Sequence, residues 1–351
     1  MKAIVCHAPH DLRVQDWPSA PLQPNQIRAR IAFGGICGSD LHYYHEGGFG
    51  TVRIQHPMVL GHEVSGVVAE IGSAVQRPDL RVGQAIAISP SRPCGQCEYC
   101  LQGMANHCLD MRFYGSAMRN PHIDGAFAEE VIIEAHQAHV LGANVTLAMA
   151  ACAEPLSVGL HAIQRAGSVF GKTVLVTGCG PIGNLLIAGL RRAGAARIVA
   201  VDVADFPLAT ARAMGADDTI NLSQSADSLK AFELNKGRFD VMFEASGNAK
   251  ALQSSLVMVR PRGVVVCVGV GGDVSLPMNV VVAKELELRG TFRFHEEFAT
   301  AVRFLNEGLI DPRPVISHTV AAADAVRGFE LASDKSQAMK VQIQFAEASA
   351  A

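Results

Sequence analysis

Four cysteines in the first half of this sequence lie close enough together to bind one metal ion. They are Cys94, Cys97, Cys100 and Cys108, with the spacing C-x2-C-x2-C-x7-C. Four thiolates can occupy every corner of a tetrahedron around Zn²⁺ at about 2.3 Å, which leaves no open position. We therefore expect this four-cysteine cluster to hold a structural zinc, which would stabilise a loop that has little apolar core of its own.

An iron–sulfur cluster is the alternative for the same cysteines. Bacterial ferredoxins also contain C-x2-C-x2-C, but their run continues with x3-C-P. In this sequence the fourth cysteine lies eight positions after the third. The spacing favours zinc, and a chance group of four buried cysteines is the least favoured interpretation.

A second group of residues could bind a metal and leave one position open. Cys37 lies in GICGSDLH (35–42), and His62 and Glu63 lie in GHE (61–63), while Glu154 adds a carboxylate where the second half of the chain begins. A catalytic zinc keeps an exchangeable position because that position must accept the substrate oxygen. Each residue alone is more typical of a structural role, so only the combination predicts a site.

A glycine-rich segment, VLVTGCGPIG (174–183), has the order strand, G-x-G-x-x-G, helix. Gly178 permits the tight turn, Gly180 lets the backbone approach a pyrophosphate, and Gly183 lets the helix pack closely on the strand. Pro181 and Ile182 begin the helix, whose N-terminus favours negative charge. The segment therefore predicts a dinucleotide site.

Asp202 ends the next predicted strand, nineteen residues after Gly183. A carboxylate at this place accepts hydrogen bonds from the ribose diol of NAD and repels the 2′-phosphate of NADP. The following segment VADFP (203–207) contains another acid and no arginine. The sequence favours NAD over NADP, the alternative being an ordinary acid at a strand end.

Over essentially the whole chain, these motifs resemble the zinc-containing medium-chain alcohol dehydrogenase family. The resemblance rests on GICGSDLH (35–42), GHE (61–63), the four-cysteine cluster, AEPL (153–156) and GCGPIG (178–183). Glu63 and Glu154 resemble the sorbitol dehydrogenase branch, since the ethanol branch has a second cysteine in place of Glu154. DLHYY (40–44), MRFYGSAM (111–118) and GTFRF (290–294) resemble a bacterial subgroup that oxidises L-idonate to 5-keto-D-gluconate.

The resemblance implies a role for each residue of the second group. Cys37 and His62 are implied to bind zinc directly. Glu63 and Glu154 are implied either to bind it or to bond to its water. Ser39 and His42 are implied to begin and end a proton relay, and an imidazole can exchange protons near neutrality.

The cofactor and the substrate are implied to contact further residues. Val268 and Val270, in VGVG (268–271), resemble the family's nicotinamide-contacting segment, and Arg293 is assigned to the cofactor with them. A sugar acid needs a cationic anchor, which Arg112, Arg119 or Arg293 could provide. A neutral polyol such as sorbitol or xylitol would need none of them, so both substrate classes stay open.

Two groups of elements must position these residues. Up to about residue 150 short β-rich runs dominate, such as Ile27–Phe33, Val64–Ile71 and Gln84–Ile88. From about residue 155 strands and helices alternate, which predicts a parallel sheet with helices on both faces. The expected fold is α/β, with a GroES-like β-barrel catalytic domain (1–152 and 291–351) and a Rossmann NAD-binding domain (153–290).

Individual elements are predicted from the apolar pattern. The expected strands of the second half are Thr173–Thr177, Arg197–Val201, Val241–Glu244, Val264–Val268 and Lys340–Phe345. The expected helices are Ile182–Ala193, Leu208–Met214 and Glu297–Glu307. Family resemblance further implies a homotetramer.

Composition excludes several classes of function. The 351 residues carry 30 basic and 33 acidic side chains, a net charge of −3 without blocks of like charge, so neither a nucleic acid nor an anionic membrane is an expected partner. No apolar run reaches the ~18 residues of a spanning helix, and the N-terminus lacks a secretion signal. A cytoplasmic enzyme with a small-molecule substrate is expected, and a zinc-thiolate redox sensor is the non-enzymatic alternative.

Overall fold

The computed structural model of the protein describes residues 1–224, 226–269 and 271–345. The strands are β1 (Lys2–Ala8), β2 (Asp11–Asp16), β3 (Gln26–Gly35), β4 (Gly48–Phe49), β5 (Val52–Arg53), β6 (Met58–Val59), β7 (Glu63–Ile71), β8 (Ala85–Ile88), β9 (Ser91–Arg92), β10 (Arg112–Phe113), β11 (Glu130–Glu134), β12 (Ala138–Val140), β13 (Thr173–Thr177), β14 (Arg197–Asp202), β15 (Asp218–Asn221), β16 (Phe239–Glu244), β17 (Val259–Cys267), β18 (Glu287–Gly290), β19 (Ile316–Ala321) and β20 (Lys340–Gln344).

The α-helices are α1 (Gly38–Glu46), α2 (Glu98–Leu101), α3 (Leu147–Ala150), α4 (Ala153–Ala166), α5 (Pro181–Arg192), α6 (Asp205–Ala213), α7 (Ala249–Ser255), α8 (Met278–Lys284), α9 (Glu297–Asn306) and α10 (Ala325–Ser333). Short 3₁₀ helices lie at Ala105–His107, Ala135–Gln137, Ala226–Phe232, Leu234–Lys236, Leu256–Met258, Arg313–Val315 and Ala322–Asp324. Among the described residues, no helix has the length and apolar character needed to cross a membrane.

The first of two compact units is rich in antiparallel strands. It comprises Met1–Glu154, Phe298–Asp334 and the described residues from Lys340 onward. Its largest sheet has the strand order β12-β8-β7-β3-β20-β19, with β11 also paired to β3. In this register Gly35 at the end of β3 lies opposite Glu63 on β7 and opposite Gln342 on β20. Three distant segments of the chain therefore meet where β3 ends.

The second unit contains a six-stranded parallel sheet and comprises Pro155–Glu297 and Lys335–Met339. Its strand order is β15-β14-β13-β16-β17-β18. Val174, Leu175 and Val176 on β13 are fully buried, as expected for a strand of a parallel sheet that is covered on both faces. Strand order reverses at β13, and ligands of such sheets bind at the carboxyl ends of the strands near this reversal.

The predicted elements of the second unit are present, but four begin earlier than expected. Helix α5 begins at Pro181 rather than Ile182 and strand β16 at Phe239 rather than Val241, and the other two differ by more. Helix α6 begins at Asp205 rather than Leu208. It includes Pro207 in its first turn, where a missing N–H costs no helical hydrogen bond. Strand β17 begins at Val259 rather than Val264. The prediction missed this start because the first half of the strand is polar and exposed and shows no apolar pattern.

Candidate metal and dinucleotide sites

The open cluster consists of Cys37, His62 and Glu63. Cys37 is the residue that precedes α1, His62 precedes β7, and Glu63 is the first residue of that strand. One ligand atom from each side chain lies within 4.8 Å of the other two. His62 and Glu63 are buried, whereas Cys37 is partly exposed. The structure thus brings three of the four residues predicted for this site to one point.

Glu154 lies in the first turn of α4 and is buried, but its carboxylate is outside the open cluster. Burial raises its pKa to about 8, and the nearby charges of Glu63 and Cys37 add to this effect while His62 and Lys340 oppose it. Glu154 therefore interacts electrostatically with the cluster without belonging to it.

Asp40 on α1 connects the two segments of the open cluster, a role that the sequence analysis missed. Its fully buried carboxylate accepts hydrogen bonds from the N–H of Cys37 at 2.9 Å and of Gly61 at 3.1 Å. One of its oxygens also lies 3.8 Å from Nδ1 of His62. The available signal was its place as the third residue of a helix, where an acid often bonds to the N–H of the capping residue.

Lys340, the first residue of β20, was also missed. Its Nζ donates to the carbonyl oxygen of Ile36 at 2.9 Å and to Oε1 of Glu63 at 2.7 Å, and it lies 2.7 Å from Oε2 of Glu63. Burial alone would lower the pKa of Lys340, but the Glu63 and Cys37 charges outweigh it and raise that pKa. Since 277 positions separate Lys340 from Glu63, no local pattern could reveal the pair.

The side chains of the open cluster fit a zinc ion. A thiol, an imidazole and a carboxylate are all common zinc ligands. Within the described structure, His62 Nδ1 and Glu63 Oε2 are buried and make no hydrogen bond, although Oε2 has an ionic contact with Lys340. Desolvation and the Glu63 charge raise the pKa of the Cys37 thiol to about 12. A thiolate at Cys37 therefore needs an added positive charge, which a divalent metal would supply.

The four-cysteine cluster is also assembled, with sulfur atoms that all lie within 4.8 Å of one another. Sγ of Cys94 lies 4.0 Å from that of Cys100, and Sγ of Cys97 lies 3.9 Å from that of Cys108. Hydrogen bonds from the backbone N–H groups of Cys100 and Leu109 lower the pKa of Cys97 to about 6. The four sulfurs fit the tetrahedral zinc expected from their spacing.

Ser39 and His42 lie three residues apart on α1, which places them on neighbouring positions of one helix face. Ser39 is partly buried, whereas the His42 side chain is 48% exposed and its Nδ1 lies 3.4 Å from Oε1 of Glu46. A path from Ser39 to His42 would therefore lead from the neighbourhood of Cys37 towards solvent.

The three arginines considered as substrate anchors have different surroundings. Arg112 is exposed on β10. Arg119 is bonded to the Asp110 carboxylate. Arg293, in the other unit, has a left-handed backbone with φ of 54° and its guanidinium 5.0 Å from the centre of the Phe292 ring.

The glycine-rich turn joins β13 to α5 in the second unit. Gly178 has a φ of +88°, and a Cβ there would lie 2.5 Å from the backbone nitrogen of Ser246. Gly180 caps α5, and a Cβ there would meet nothing within 4 Å. Pro181 and Ile182 form the first positions of the helix, followed by Gly183. Open space at a helix N-terminus fits a pyrophosphate.

Asp202 ends β14 next to this turn. Its Oδ2 accepts a hydrogen bond from the N–H of Cys179 at 2.7 Å, and its Oδ1 accepts bonds from Val203 at 2.7 Å and Ala204 at 3.2 Å. Val268 follows β17, and its N–H donates to the carbonyl of Glu244 at 2.8 Å. Val270 lies outside the described residues.

Comparisons with known proteins agree with this fold. Residues 23–143 match the alcohol dehydrogenase GroES-like domain, and residues 181–307 match the zinc-binding dehydrogenase model. These matches identify a zinc-dependent, NAD(P)-binding dehydrogenase. The chain belongs to the zinc-containing medium-chain alcohol dehydrogenase family, which confirms both the family and the fold class expected from the sequence.

Individual relatives within the family are similar to this chain over most of their length. The chain is 44% identical to "L-idonate 5-dehydrogenase (NAD(P)(+))" of Escherichia coli (strain K12), over 92% of each protein. It is 31% identical to "Sorbitol dehydrogenase" of Bacillus subtilis (strain 168), over 98% of this chain and 97% of the relative. The crystal structure of L-idonate 5-dehydrogenase from Escherichia coli str. K-12 substr. MG1655 superposes with a TM-score of 0.91 at 42% identity, covering 98% of each chain.

Proposed function

We propose that this protein is an L-idonate 5-dehydrogenase that oxidises a secondary hydroxyl of L-idonate with NAD to give 5-keto-D-gluconate. The gathering of Cys37, His62 and Glu63 within 4.8 Å carries the proposal, because a metal with an exchangeable position can bind the substrate hydroxyl and make it acidic. The relatives that bear the L-idonate name support the choice of substrate.

Cys37 and His62 would hold the catalytic zinc, with Glu63 or Glu154 completing its protein ligands. The bound ion would act as a Lewis acid that makes a coordinated hydroxyl acidic near neutral pH. Oxidation of the alcohol to a ketone removes a hydride and a proton: the nicotinamide would supply the hydride acceptor, and the hydroxyl proton must reach solvent. Asp40 keeps the Cys37 and His62 segments together throughout.

We propose that Ser39 and His42 carry this proton. Ser39 is partly buried and lies two residues after Cys37 at the start of α1, so its hydroxyl is a candidate to receive a proton from inside the site. His42 lies one turn further along α1 and is exposed, so it can release the proton to water.

In the second unit, Gly178, Gly180, Pro181, Ile182 and Gly183 would hold the pyrophosphate of NAD. Asp202 would bond to the adenosine ribose, and Val268 and Arg293 would contact the nicotinamide end. Val270, assigned to the cofactor with them, lies outside the described residues. We propose that Asp202 makes NAD the preferred cofactor. Asp202→Gly should lower the ratio of kcat/KM for NAD to that for NADP about 10–100-fold, because a charge repulsion is lost; an unchanged ratio would contradict this assignment.

The remaining features follow from the same assignment. We propose that the catalytic domain comprises residues 1–152 and 291–351 and the NAD-binding domain residues 153–290. The two compact units differ from this division, since Ala153 and Glu154 belong to the first unit and residues 291–297 and Lys335–Met339 to the second. The four-cysteine cluster would hold a structural zinc, and the active form would be a homotetramer. A reducing compartment such as the cytoplasm would keep the thiols available.

A neutral polyol such as sorbitol or xylitol is the second candidate substrate. The pairing of Arg119 with Asp110 favours it, because this arginine is already bonded to a carboxylate of the protein itself. Sorbitol dehydrogenases among the relatives point the same way.

Turnover of L-idonate, D-sorbitol and D-xylitol with NAD and NADP, before and after metal chelation, tests the proposal. We expect the highest kcat/KM for L-idonate with NAD and loss of activity after chelation. Higher kcat/KM for a neutral polyol would replace the substrate assignment. Full activity after verified removal of all zinc would overturn the mechanism.

A further inference from the structure

Lys340 is a charged residue beside the open cluster, and the proposed reaction gives it no role. It is 2% exposed, and its ammonium contacts both sides of the cluster, the carbonyl of Ile36 that precedes Cys37 and the carboxylate of Glu63. A buried lysine is stable only when its charge is paired, and removing one member of such a pair leaves the other charge uncompensated.

The chain leaves room for this ion pair at Gly35. A Cβ at that position would lie 2.2 Å from Oε2 of Glu63 and 3.2 Å from Cδ of Lys340. Gly35 stands opposite Glu63 across β3 and β7, so any larger residue would push the carboxylate away from the lysine. The sheet register and this glycine together build a defined place for the pair.

Glu63 is arranged so that one carboxylate can serve two cations. Both of its oxygens lie 2.7 Å from Nζ of Lys340, but only Oε1 accepts a hydrogen bond from it, and the buried Oε2 makes none within the described structure. We propose that Lys340 is a positioning residue that shares Glu63 with the metal: it balances the carboxylate when no metal is bound and weakens the hold of Glu63 on the metal when one is. This inference rests on the proposed function, because it assumes a metal at the open cluster.

The proposal predicts an unusual effect of removing the lysine charge. In Lys340→Gln the amide can still bond to Ile36 and Glu63, but the metal-free protein keeps an uncompensated buried carboxylate. Bound zinc compensates the charge of this carboxylate, and in the variant no lysine ammonium lies beside the zinc. The affinity for zinc should therefore rise. A lysine that merely supports the fold would have the opposite signature, since its loss would lower stability with or without zinc.

The test compares Lys340→Gln, Lys340→Arg and a control, Lys284→Gln, in the purified full-length protein. Like Lys340, Lys284 donates to backbone carbonyls, those of Val257 at 2.6 Å and Val259 at 2.9 Å. It is partly buried and lies in the other unit. Tm is measured with and without zinc. The rate of zinc release from the open cluster is followed with a chromogenic chelator. Zinc from this cluster is identified as the equivalent that is missing in Cys37→Ser.

For Lys340→Gln we expect the Tm difference between zinc-loaded and metal-free protein to grow by about 5–10 °C. Release of the zinc should slow about tenfold. Lys340→Arg should restore wild-type behaviour, and Lys284→Gln should change neither quantity. An equal loss of Tm with and without zinc, or unchanged or faster release, would overturn the inference. If Cys37→Ser has the same zinc content as wild type, the proposed metal site itself is wrong, a failure distinct from that of Lys340.

Discussion

Cys37 and Cys97 lie in the same unit and are both candidate zinc ligands, yet their surroundings act on the two thiols in opposite directions. Desolvation and the charge of Glu63 raise the pKa of Cys37 to about 12, whereas backbone N–H groups lower that of Cys97 to about 6. Within the four-cysteine cluster, backbone hydrogen bonds also lower the pKa of Cys94, whereas desolvation raises the pKa of Cys100 to about 12 and that of Cys108. Two of its four thiolates are therefore stabilised by N–H groups of its own short loop. The open cluster depends on buried charges supplied by distant segments.

Packing around the two clusters differs in the same way. The open cluster lies at the end of β3, next to the buried side chains of Asp40 and Lys340. Exposed apolar residues lie within the four-cysteine segment and directly after it: Leu101 is 75% exposed and Leu109 is 67% exposed. A loop with so little buried apolar surface needs its metal for folding, while the open cluster sits in a fold that is stable by other means. One cluster should therefore control stability and the other activity.

Loss of a ligand from the open cluster should have the largest effect on activity. Cys37→Ser is expected to lower kcat/KM by at least about 1,000-fold, which corresponds to about 4 kcal/mol of transition-state stabilisation. Zinc content should fall by about one equivalent per chain while Tm changes little. Steady-state kinetics, metal analysis and thermal unfolding check these outcomes, and a large loss of Tm would remove the contrast between the clusters.

Loss of a thiol from the four-cysteine cluster should reverse that pattern. Cys97→Ser is expected to lower Tm by about 5–10 °C, because the energy of metal binding no longer contributes to folding. The remaining folded protein should keep most of its kcat. Cys267→Ser, at a partly buried thiol of the other unit, is the control. Loss of kcat without loss of Tm would show that the cluster is not structural.

The contrast between the clusters also explains what could be predicted from sequence. All four thiols of the four-cysteine cluster were identified because they lie within one loop, so their spacing contains the geometry. Cys37, His62 and Glu63 were identified through a combination of motifs. Lys340 was missed because its contact with Glu63 exists only after β3 has paired with both β7 and β20.

The same reasoning applies to the fold. Four of the six strands of the parallel sheet, β13, β14, β16 and β17, were predicted because burial on both faces makes them continuous apolar runs, as in β13. The edge strands β15 and β18 were not predicted, because neither contains a run of buried apolar residues. The start of β17 was missed because Arg260 and Arg262 are exposed and give no apolar signal. Asp40 was passed over because an acid in the first turn of a helix has an ordinary explanation, while its second bond, from Gly61, depends on tertiary structure.

A change in the support of the open cluster should weaken metal binding without abolishing it. Asp40→Asn keeps the shape of the side chain but replaces one accepting oxygen with a donor, so a hydrogen bond from Cys37 or Gly61 is lost. Zinc affinity, measured by competition with a chelator, is expected to fall about 10–100-fold. Asp79→Asn removes a surface carboxylate paired with Arg77 and should leave the affinity unchanged. Equal affinities for the two variants would show that distant charges do not support this cluster.

The smallest effect should come from the exposed end of the proton path. The open cluster must exchange protons with solvent, whereas the four-cysteine cluster need not. His42→Gln is therefore expected to lower kcat about tenfold or less, because His42 is half exposed and water can partly replace it. Small buffers such as imidazole should recover part of the loss. His45→Gln, on the same helix but bonded to Ser333 at 2.7 Å, should show no such recovery. If buffer restores neither variant, the proton leaves by another route, and exposure of α1 has no part in the difference between the two clusters.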